Sequence, residues 1–171
     1  PCHEHKVGAR LKLPHTPELL WSRIDKKVRN QIRKAQKEGL TVESGGSELL
    51  DSFYVVFARN MRDLGTPVFP RALFSAVLTG LQSYTRVFVV RRGQTPVAAS
   101  IALSWRDSML VPWASSLREF RHLCPNMLLY WHMLEAAVLH KLSVFDFGRS
   151  TRDGGTHRFK QQWGAESFPL H

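Results

Sequence analysis

The last quarter of the chain holds the residue types and spacing best suited to chemistry. A predicted buried strand, residues 145–147, runs into a polar loop, residues 148–151, and a short helix follows. That helix carries Lys160 between Phe159 and Trp163. The end of a strand can present polar side chains and backbone N–H groups, and loops held by a rigid scaffold often carry function. The pattern therefore predicts a site for an anionic or carbonyl-containing ligand.

Lys160 is the leading candidate for a functional side chain. In one interpretation it is an ordinary solvated helix lysine beside Gln161. In the other, Phe159 and Trp163 half-bury this part of the helix. A buried cation is costly unless it has a partner or a function, so the second interpretation is favoured.

Polar residues at the end of the strand are second-rank candidates. Asp146 either pairs with Arg149 or caps the next turn, or else it binds an amine and accepts its proton. Arg149 could bind a phosphate or carboxylate through two hydrogen bonds, with a structural ion pair as the alternative. These alternatives stay open at the level of sequence. Ser150 belongs to the same loop and is a further candidate for substrate binding.

Other nucleophiles and metal-binding side chains lack a convincing arrangement. Cys124 precedes a helix, where a thiolate is favoured, but its neighbours have the character of packing residues. Surface roles are expected for three histidines without a visible orienting partner: His132, His140 and His157. Cys2, His3 and His5 could bind a metal, but a loose terminal cluster is more often adventitious. We therefore predict neither a covalent nucleophile nor a metal site.

The chain is strongly basic. Its 171 residues include 24 lysine and arginine residues against 14 acidic ones, a formal net charge of +10. Such a surface attracts polyanions: nucleic acid, acidic lipid headgroups or a phosphate-bearing cofactor. A basic protein without a nucleic-acid ligand is the alternative. Hydrophobic residues make up 43% of the chain, which argues for a packed core and against disorder.

Much of this charge falls on one predicted helix, residues 18–38. Apolar residues recur there at spacings of three and four and form one stripe: Leu20, Trp21, Ile24, Val28, Ile32 and Ala35. Solvated helix faces usually mix the two signs of charge, whereas this helix is mostly basic. The candidate polyanion-binding residues are Arg23, Lys27, Arg33, Lys34 and Lys37. A solvated face remains the alternative.

Periodicity and turn residues predict the remaining elements. They are a strand from residue 40, helices over 47–64 and from 70, strands over 86–92, 96–105 and 109–116, a helix over 125–140, a strand over 143–147, a helix over 156–162 and a strand from 165. Pro112 cannot donate to a ladder, so it predicts a bulge or splay. The β-α-β crossover should place residues 144–147 parallel to 109–116.

This order predicts an α/β domain with a mixed, mostly antiparallel sheet and helices on both faces. We expect it to span residues 17–171, after an N-terminal extension over residues 1–16. The chain begins without methionine and stops within a predicted strand. We therefore expect a piece of a longer protein.

The element order resembles the N-acetyltransferase (GNAT) fold, and motifs near the C-terminus are more specific. Residues 126–131 (NMLLYW), 145–150 (FDFGRS) and 159–164 (FKQQWG) resemble the FemAB family, in particular the FemAB-like proteins found with exosortase and PEP-CTERM exopolysaccharide systems. The basic helix also fits that family. The sequence departs from those relatives at Thr151, where they tend to carry a basic residue.

The resemblance implies transfer of an acyl or aminoacyl group to an amine, with Lys160 stabilising the oxyanion and Phe159 adding a backbone contact. By resemblance the chain would be the C-terminal of two GNAT-like halves. The donor would be aminoacyl-tRNA or an acyl-CoA. The acceptor would be an amine of a peptidoglycan, exopolysaccharide or other cell-envelope precursor. Asn126 and Tyr130, in the first motif, would contact substrate.

The donor is the least determined part of this prediction. Between residues 116 and 126 there is no glycine-rich loop to hold a pyrophosphate, although Arg118 and Arg121 could still contact phosphates. The absence of such a loop makes acetyl-CoA a less favoured donor and makes tRNA or another carrier a more favoured one. Two alternatives remain: an acetyl-CoA-dependent N-acetyltransferase acting on an amino sugar, and a non-catalytic polyanion-binding module. We expect a cytoplasmic location, with the inner face of the membrane as a variant.

Overall fold

The computed structural model describes residues 6–169, and the terminal cluster of Cys2, His3 and His5 lies outside them. The strands of this part are β1 Lys6–Lys12, β2 Leu40–Gly45, β3 Thr85–Arg92, β4 Thr95–Trp105, β5 Ser108–Ser116, β6 Val144–Thr151 and β7 Glu166–Pro169. The α-helices are α1 Pro17–Arg23, α2 Lys26–Lys37, α3 Leu50–Asp63, α4 Arg71–Gly80, α5 Pro125–Leu139 and α6 Gly155–Gln161. Short 3₁₀ helices cover Ser47–Leu49 and Arg118–Leu123.

The strands form a mixed sheet in the order β2-β3-β4-β5-β6-β1-β7. β5 and β6 are parallel, and the other neighbouring pairs are antiparallel. The predicted sheet type is therefore confirmed. The parallel pair is joined by α5, as the crossover prediction required.

β5 and β6 pair over only a short stretch. The paired residues end at Leu110 and Asp146, although both strands continue beyond them. β5 carries an irregularity between Leu110 and Trp113 in its pairing with β4, which includes Pro112. The bulge predicted from Pro112 is therefore confirmed. Past this point the two central strands of the sheet are no longer paired with each other.

Helices cover both faces because neighbouring strand residues are buried on opposite sides. Val87 and Val89 of β3 belong to a core that α3 and α4 complete. Phe88 and Val90 belong to a second core, formed with α1, α2 and α5. α6 lies against β6 and β1. This arrangement puts α6 beside the part of β6 that no longer pairs with β5.

Two features differ from the sequence-based prediction. The basic helix is broken in two, because Ile24 is extended and the Asp25 carboxylate accepts a hydrogen bond from Lys27 N at 2.6 Å, which starts α2. The predicted apolar stripe is nevertheless buried, apart from the half-buried Trp21. Residues 6–12, assigned to the N-terminal extension, form a strand between β6 and β7. Its partners lie far away in sequence, so periodicity alone did not reveal it.

Candidate active site

The Lys160 side chain is buried at the centre of the predicted site. The residue is 3% exposed, and its Nζ donates hydrogen bonds to the carbonyl oxygens of Gly148 at 2.9 Å and Arg149 at 3.0 Å. Burial lowers the pKa of the ammonium to about 8, and the Asp146 carboxylate partly opposes that shift. The predicted burial of Lys160 is therefore confirmed. Two carbonyl partners leave one of the three ammonium N–H groups for a further acceptor.

The backbone of β6 is shaped to present these carbonyl groups. Against β1, β6 has an extra residue between Asp146 and Arg149, and Gly148 there adopts a left-handed conformation with φ +72°. Glycine reaches this conformation without steric cost, and a glycine inside a strand commonly marks such a bulge. The Asp146 Oδ1 atom accepts a hydrogen bond from Gly148 N at 2.8 Å, which holds the bulge in place.

Asp146 has partners for both carboxylate oxygens. Its Oδ2 accepts a hydrogen bond from Arg10 Nε at 2.7 Å, and Arg10 also lies over the Phe168 ring at 4.4 Å. The structural alternative stated for Asp146 is therefore half right. It caps the following turn, but its ion-pair partner is Arg10 and not Arg149. Arg10 was not among the predicted site residues, because it is 136 residues away from Asp146.

The loop after the bulge separates the remaining candidates. Arg149 is exposed, whereas Ser150 is buried, and the Ser150 hydroxyl has no hydrogen-bond partner among the described residues. At Thr151, where a basic residue was expected from the resemblance, the hydroxyl accepts a hydrogen bond from Lys6 Nζ at 2.8 Å. A cation therefore stands beside this position, supplied by β1.

Residues next to Lys160 and to its partner Gly148 in the chain belong to an aromatic cluster. The Tyr130 ring stacks on Phe147 at 5.6 Å and meets the edge of Phe159 at 4.9 Å, with Trp163 tilted at 6.3 Å. Burial raises the pKa of the Tyr130 hydroxyl, so it stays protonated and can act only as a neutral donor or acceptor. Phe159 contributes packing here. Trp131 instead contacts Trp21 of α1 at 4.8 Å.

The start of α5 offers few donors for a phosphate group. Pro125 has no N–H, and the Met127 and Leu128 N–H groups both donate to the Cys124 carbonyl, at 3.1 and 3.4 Å. The Asn126 N–H is what remains of the first turn. Cys124 packs against the core, as predicted. The arginines of the preceding 3₁₀ helix are exposed at its surface: Arg118 and Arg121.

The five predicted polyanion-binding residues are all exposed, on two helices instead of one: Arg23, Lys27, Arg33, Lys34 and Lys37. A shallow groove along α2 is lined by Asp25, Lys26, Lys27, Asn30, Gln31 and Lys34. Arg33 lies over the Trp21 ring at 5.4 Å, a cation–π contact. Among the described residues, the hydrogen bonds of Lys160 go to β6 and none joins it to these five side chains.

His157 is not a surface residue, and that expectation is wrong. It is 4% exposed, and it joins the loop before α6 to β7 through hydrogen bonds with Asp153 and Ser167. Its partners lie within ten residues, but no local pattern indicates that they converge. His132 is half-buried near Glu135, and burial lowers its pKa against the opposing effect of that carboxylate. His140 is exposed, as expected.

Within residues 6–169, no group of three or more His, Cys, Asp or Glu side chains could hold a metal ion. No helix within these bounds is long and apolar enough to cross a membrane.

The chain is similar to known proteins in sequence pattern and in fold. The acetyltransferase (GNAT) domain family matches residues 22–161. No curated protein sequence matches the chain. Among solved structures, FemX is similar with a TM-score of 0.85 at 15% identity, covering 95% of this chain and 59% of FemX.

Two further solved structures extend the comparison. The C-terminal domain (DUF2156) of a protein named as a lysylphosphatidylglycerol synthetase, from Agrobacterium fabrum, gives a TM-score of 0.75 at 11% identity, covering 99% of this chain and 60% of that one. An aminoglycoside acetyltransferase from an uncultured soil metagenomic sample, solved with sisomicin, gives 0.62 at 12% identity, covering 77% and 93%. The chain thus spans about 60% of the length of the first two proteins. At these identities the likeness concerns the fold, and the predicted FemAB-like GNAT fold is confirmed.

Proposed function

The chain belongs to the acetyltransferase (GNAT) domain family and is a GNAT-type acyltransferase. From that premise we propose that it transfers an acyl or aminoacyl group from a carrier to an amine of a cell-envelope or exopolysaccharide precursor. The observation that carries the proposal is the buried Lys160 ammonium, held at the bulge of β6 where β5 and β6 part.

Direct aminolysis needs no covalent intermediate on the protein. The neutral amine attacks the carbonyl carbon of the donor, and the carbonyl oxygen becomes negatively charged in the tetrahedral intermediate. The carbon–oxygen or carbon–sulfur bond to the carrier then breaks, and the proton lost by the amine ends on the leaving group. The remaining Lys160 N–H group would donate to the oxyanion. A fixed donor in a buried site stabilises such charge more strongly than water does.

Asp146 and Arg10 would position the carbonyl groups that bind Lys160, and they would not take part in proton transfer. Both Asp146 oxygens already accept hydrogen bonds, from Gly148 N and from Arg10, so the carboxylate fixes the bulge whose carbonyl groups bind Lys160. Phe159 and Tyr130 would form an apolar wall that excludes water from the ammonium. Ser150 and the exposed Arg149 would contact the substrate at the open end of β6.

The start of α5 favours a donor other than acyl-CoA, although acyl-CoA is the donor usual in GNAT enzymes. Pyrophosphate binding at a helix start uses free backbone N–H groups, and α5 retains one in its first turn. Arg118 and Arg121 supply side-chain charge but no backbone cradle. An aminoacyl-tRNA donor would instead use the exposed basic residues of α1 and α2. Their charges would contact RNA phosphates with little dependence on base sequence.

An amino-sugar acetyltransferase is the second candidate, favoured by one observation. The similar aminoglycoside acetyltransferase is covered over 93% of its length, so this fold alone can constitute such an enzyme. In that case acetyl-CoA would be the donor and an amino sugar the acceptor. A cytoplasmic site of action, at the inner face of the membrane for a membrane-bound precursor, suits either candidate.

Donor binding separates the two candidates. We would titrate acetyl-CoA by calorimetry, and a mixture of aminoacyl-tRNAs by filter binding, each at two salt concentrations. Transfer would then be measured to a lysine-containing stem peptide and to glucosamine. Salt-sensitive tRNA binding with transfer to an amine supports the first candidate. Saturable acetyl-CoA binding with acetylation of glucosamine supports the second, and no transfer from either donor contradicts the proposed function.

A further inference from the structure

The helix that carries Lys160 is too short to hold its own position. α6 has seven residues, Gly155–Gln161, and no side chain caps it at Gly154. Isolated helices shorter than about 12–15 residues are marginal in water. The position of the ammonium must therefore be set by contacts between α6 and its neighbours.

His157 makes two such contacts in opposite directions. Its Nδ1 accepts a hydrogen bond from Asp153 N at 3.0 Å, in the loop before α6, and its Nε2 lies 2.7 Å from Ser167 Oγ on β7. His157 and Lys160 are one helical turn apart, and both are buried. The ring therefore ties the buried side of α6 to both of its chain neighbours.

These partners determine where the ring proton lies. A backbone N–H can only donate, so Nδ1 carries the lone pair and the neutral ring has its proton on Nε2. That Nε2–H group donates to Ser167 Oγ. A serine nucleophile needs the opposite, because the facing nitrogen must accept the hydroxyl proton. Asp153, His157 and Ser167 therefore resemble a hydrolytic triad in composition but have the wrong hydrogen-bond direction for one.

We propose that His157 is a positioning residue that latches α6 between the loop of residues 151–154 and β7. The latch sets the Lys160 ammonium against the carbonyl groups of Gly148 and Arg149. This inference rests on the proposed function, in which Lys160 acts at that place.

The loop conformation explains why a latch is needed. Asp153 is a non-glycine residue in the left-handed region, with φ +60°. Aspartate tolerates this conformation better than most residues, but the conformation still costs free energy and needs support from its surroundings. The hydrogen bond to His157 and the bond from Gly154 N to Thr151 O at 3.1 Å impose it here. Without the imidazole, the loop can relax and α6 can shift with it.

The test measures the titration of the Lys160 side chain, which depends on the burial of its ammonium group and does not require enzyme activity. The side-chain NMR signal of Lys160, assigned by its loss in Lys160→Met, would be titrated in the whole chain. His157→Phe fills the space but removes both hydrogen bonds. His157→Asn retains an acceptor for Asp153 N, and Ser167→Ala removes the β7 partner alone. His15→Asn, at an exposed histidine, is the control.

A latch predicts a graded result. The midpoint of the Lys160 titration rises toward its ordinary value by about one unit in His157→Phe, because the ammonium becomes solvated. It rises less in His157→Asn and Ser167→Ala, and it stays unchanged in the control. An unchanged midpoint in folded Asn and Ala variants overturns the inference, even if the Phe variant unfolds. His157 would then serve stability alone.

Measurement of the transfer rate in the His157 and Lys160 variants tests the proposed function separately from this inference. If Lys160 acts on the oxyanion, His157→Asn lowers kcat by about tenfold and changes KM little, because misplacement of a catalytic group mainly affects the transition state. If transfer survives Lys160→Met while the His157 variants still shift the Lys160 titration, the proposed function fails. In that case the latch itself stands.

Discussion

Two regions of this molecule carry positive charge in opposite ways. On α6 a single ammonium is buried and hydrogen-bonded to two carbonyl groups of β6. On α1 and α2 the basic side chains are exposed to water. Burial of a charge costs free energy. The buried charge then interacts strongly with the groups placed around it, because neither solvent nor salt screens it. Exposed charges act additively and weaken with salt. The comparison predicts large, local effects at α6 and small, cumulative effects at α1 and α2.

Removal of the buried charge should have the largest effect. Lys160→Met should lower the transfer rate by about 10²–10³, because one oxyanion donor is lost. Folding should change little, since the two lost hydrogen bonds offset the removed cost of burying a charge. Single-turnover rates and thermal unfolding would be compared with Lys12→Met, at an exposed lysine of β1. Equal rates in the two variants would contradict the role of Lys160.

The buried charge should also make stability depend on pH. The Lys160 pKa falls from an ordinary 10.5 to about 8, so the unfolded chain holds this proton more tightly than the folded one. The resulting penalty is fully present below about pH 8 and disappears as the pH rises toward the unfolded value. Between about pH 7 and pH 10, wild type should gain up to about 3 kcal/mol relative to Lys160→Met. Urea unfolding at both pH values measures this, and a constant difference between the two proteins would contradict it.

Removal of the Asp146 carboxylate should change the pKa of Lys160 and should lower the rate less than removal of Lys160 itself. The carboxylate opposes the lowering of the Lys160 pKa, so Asp146→Asn should lower that pKa further. The rate should then fall by about tenfold at neutral pH, since less of the lysine is protonated and the bulge is held less firmly. The pH at which activity declines should move down, as a pH–rate profile would show. Arg149→Gln, which leaves the Asp146 contacts intact, should not move that pH.

The exposed charges should give the smallest single effects. Lys27→Gln and Lys34→Gln should each weaken tRNA binding a few-fold at moderate salt. Each should reduce the slope of log K against log salt by about one. Filter binding across a salt series measures both quantities, with Lys12→Gln as the control. An unchanged slope in the double variant would remove α2 from the polyanion surface.

Much of the fold could be predicted because its signals are local. Periods of two and near 3.6 revealed most elements, and the helical crossover predicted β5 parallel to β6. β1 was missed because its pairing partners are distant in sequence. The break between α1 and α2 was missed because the apolar stripe continues through Ile24, although Asp25 is a typical helix cap.

The site was predictable only in part, because several of its contacts join residues that come together only in the folded structure. Lys160 could be found because its aromatic neighbours, Phe159 and Trp163, lie within three residues of it in the sequence. The Arg10 partner of Asp146 comes from another strand, and the two partners of His157 converge only when α6 folds against β7. Gly148 carried an available signal, since glycine within a strand indicates a bulge. Tertiary contacts decided the rest.

The pH dependence of transfer tests the central claim most directly. With the donor selected by the binding measurements, single-turnover transfer to hydroxylamine would be followed across the Lys160 titration and corrected for the spontaneous reactions of the donor with hydroxylamine and with water. Hydroxylamine stays neutral over this range, so a change in rate reports on the protein. We predict that the rate declines above about pH 8 in step with the loss of the Lys160 proton. A rate that stays level while Lys160 loses its proton would contradict the account.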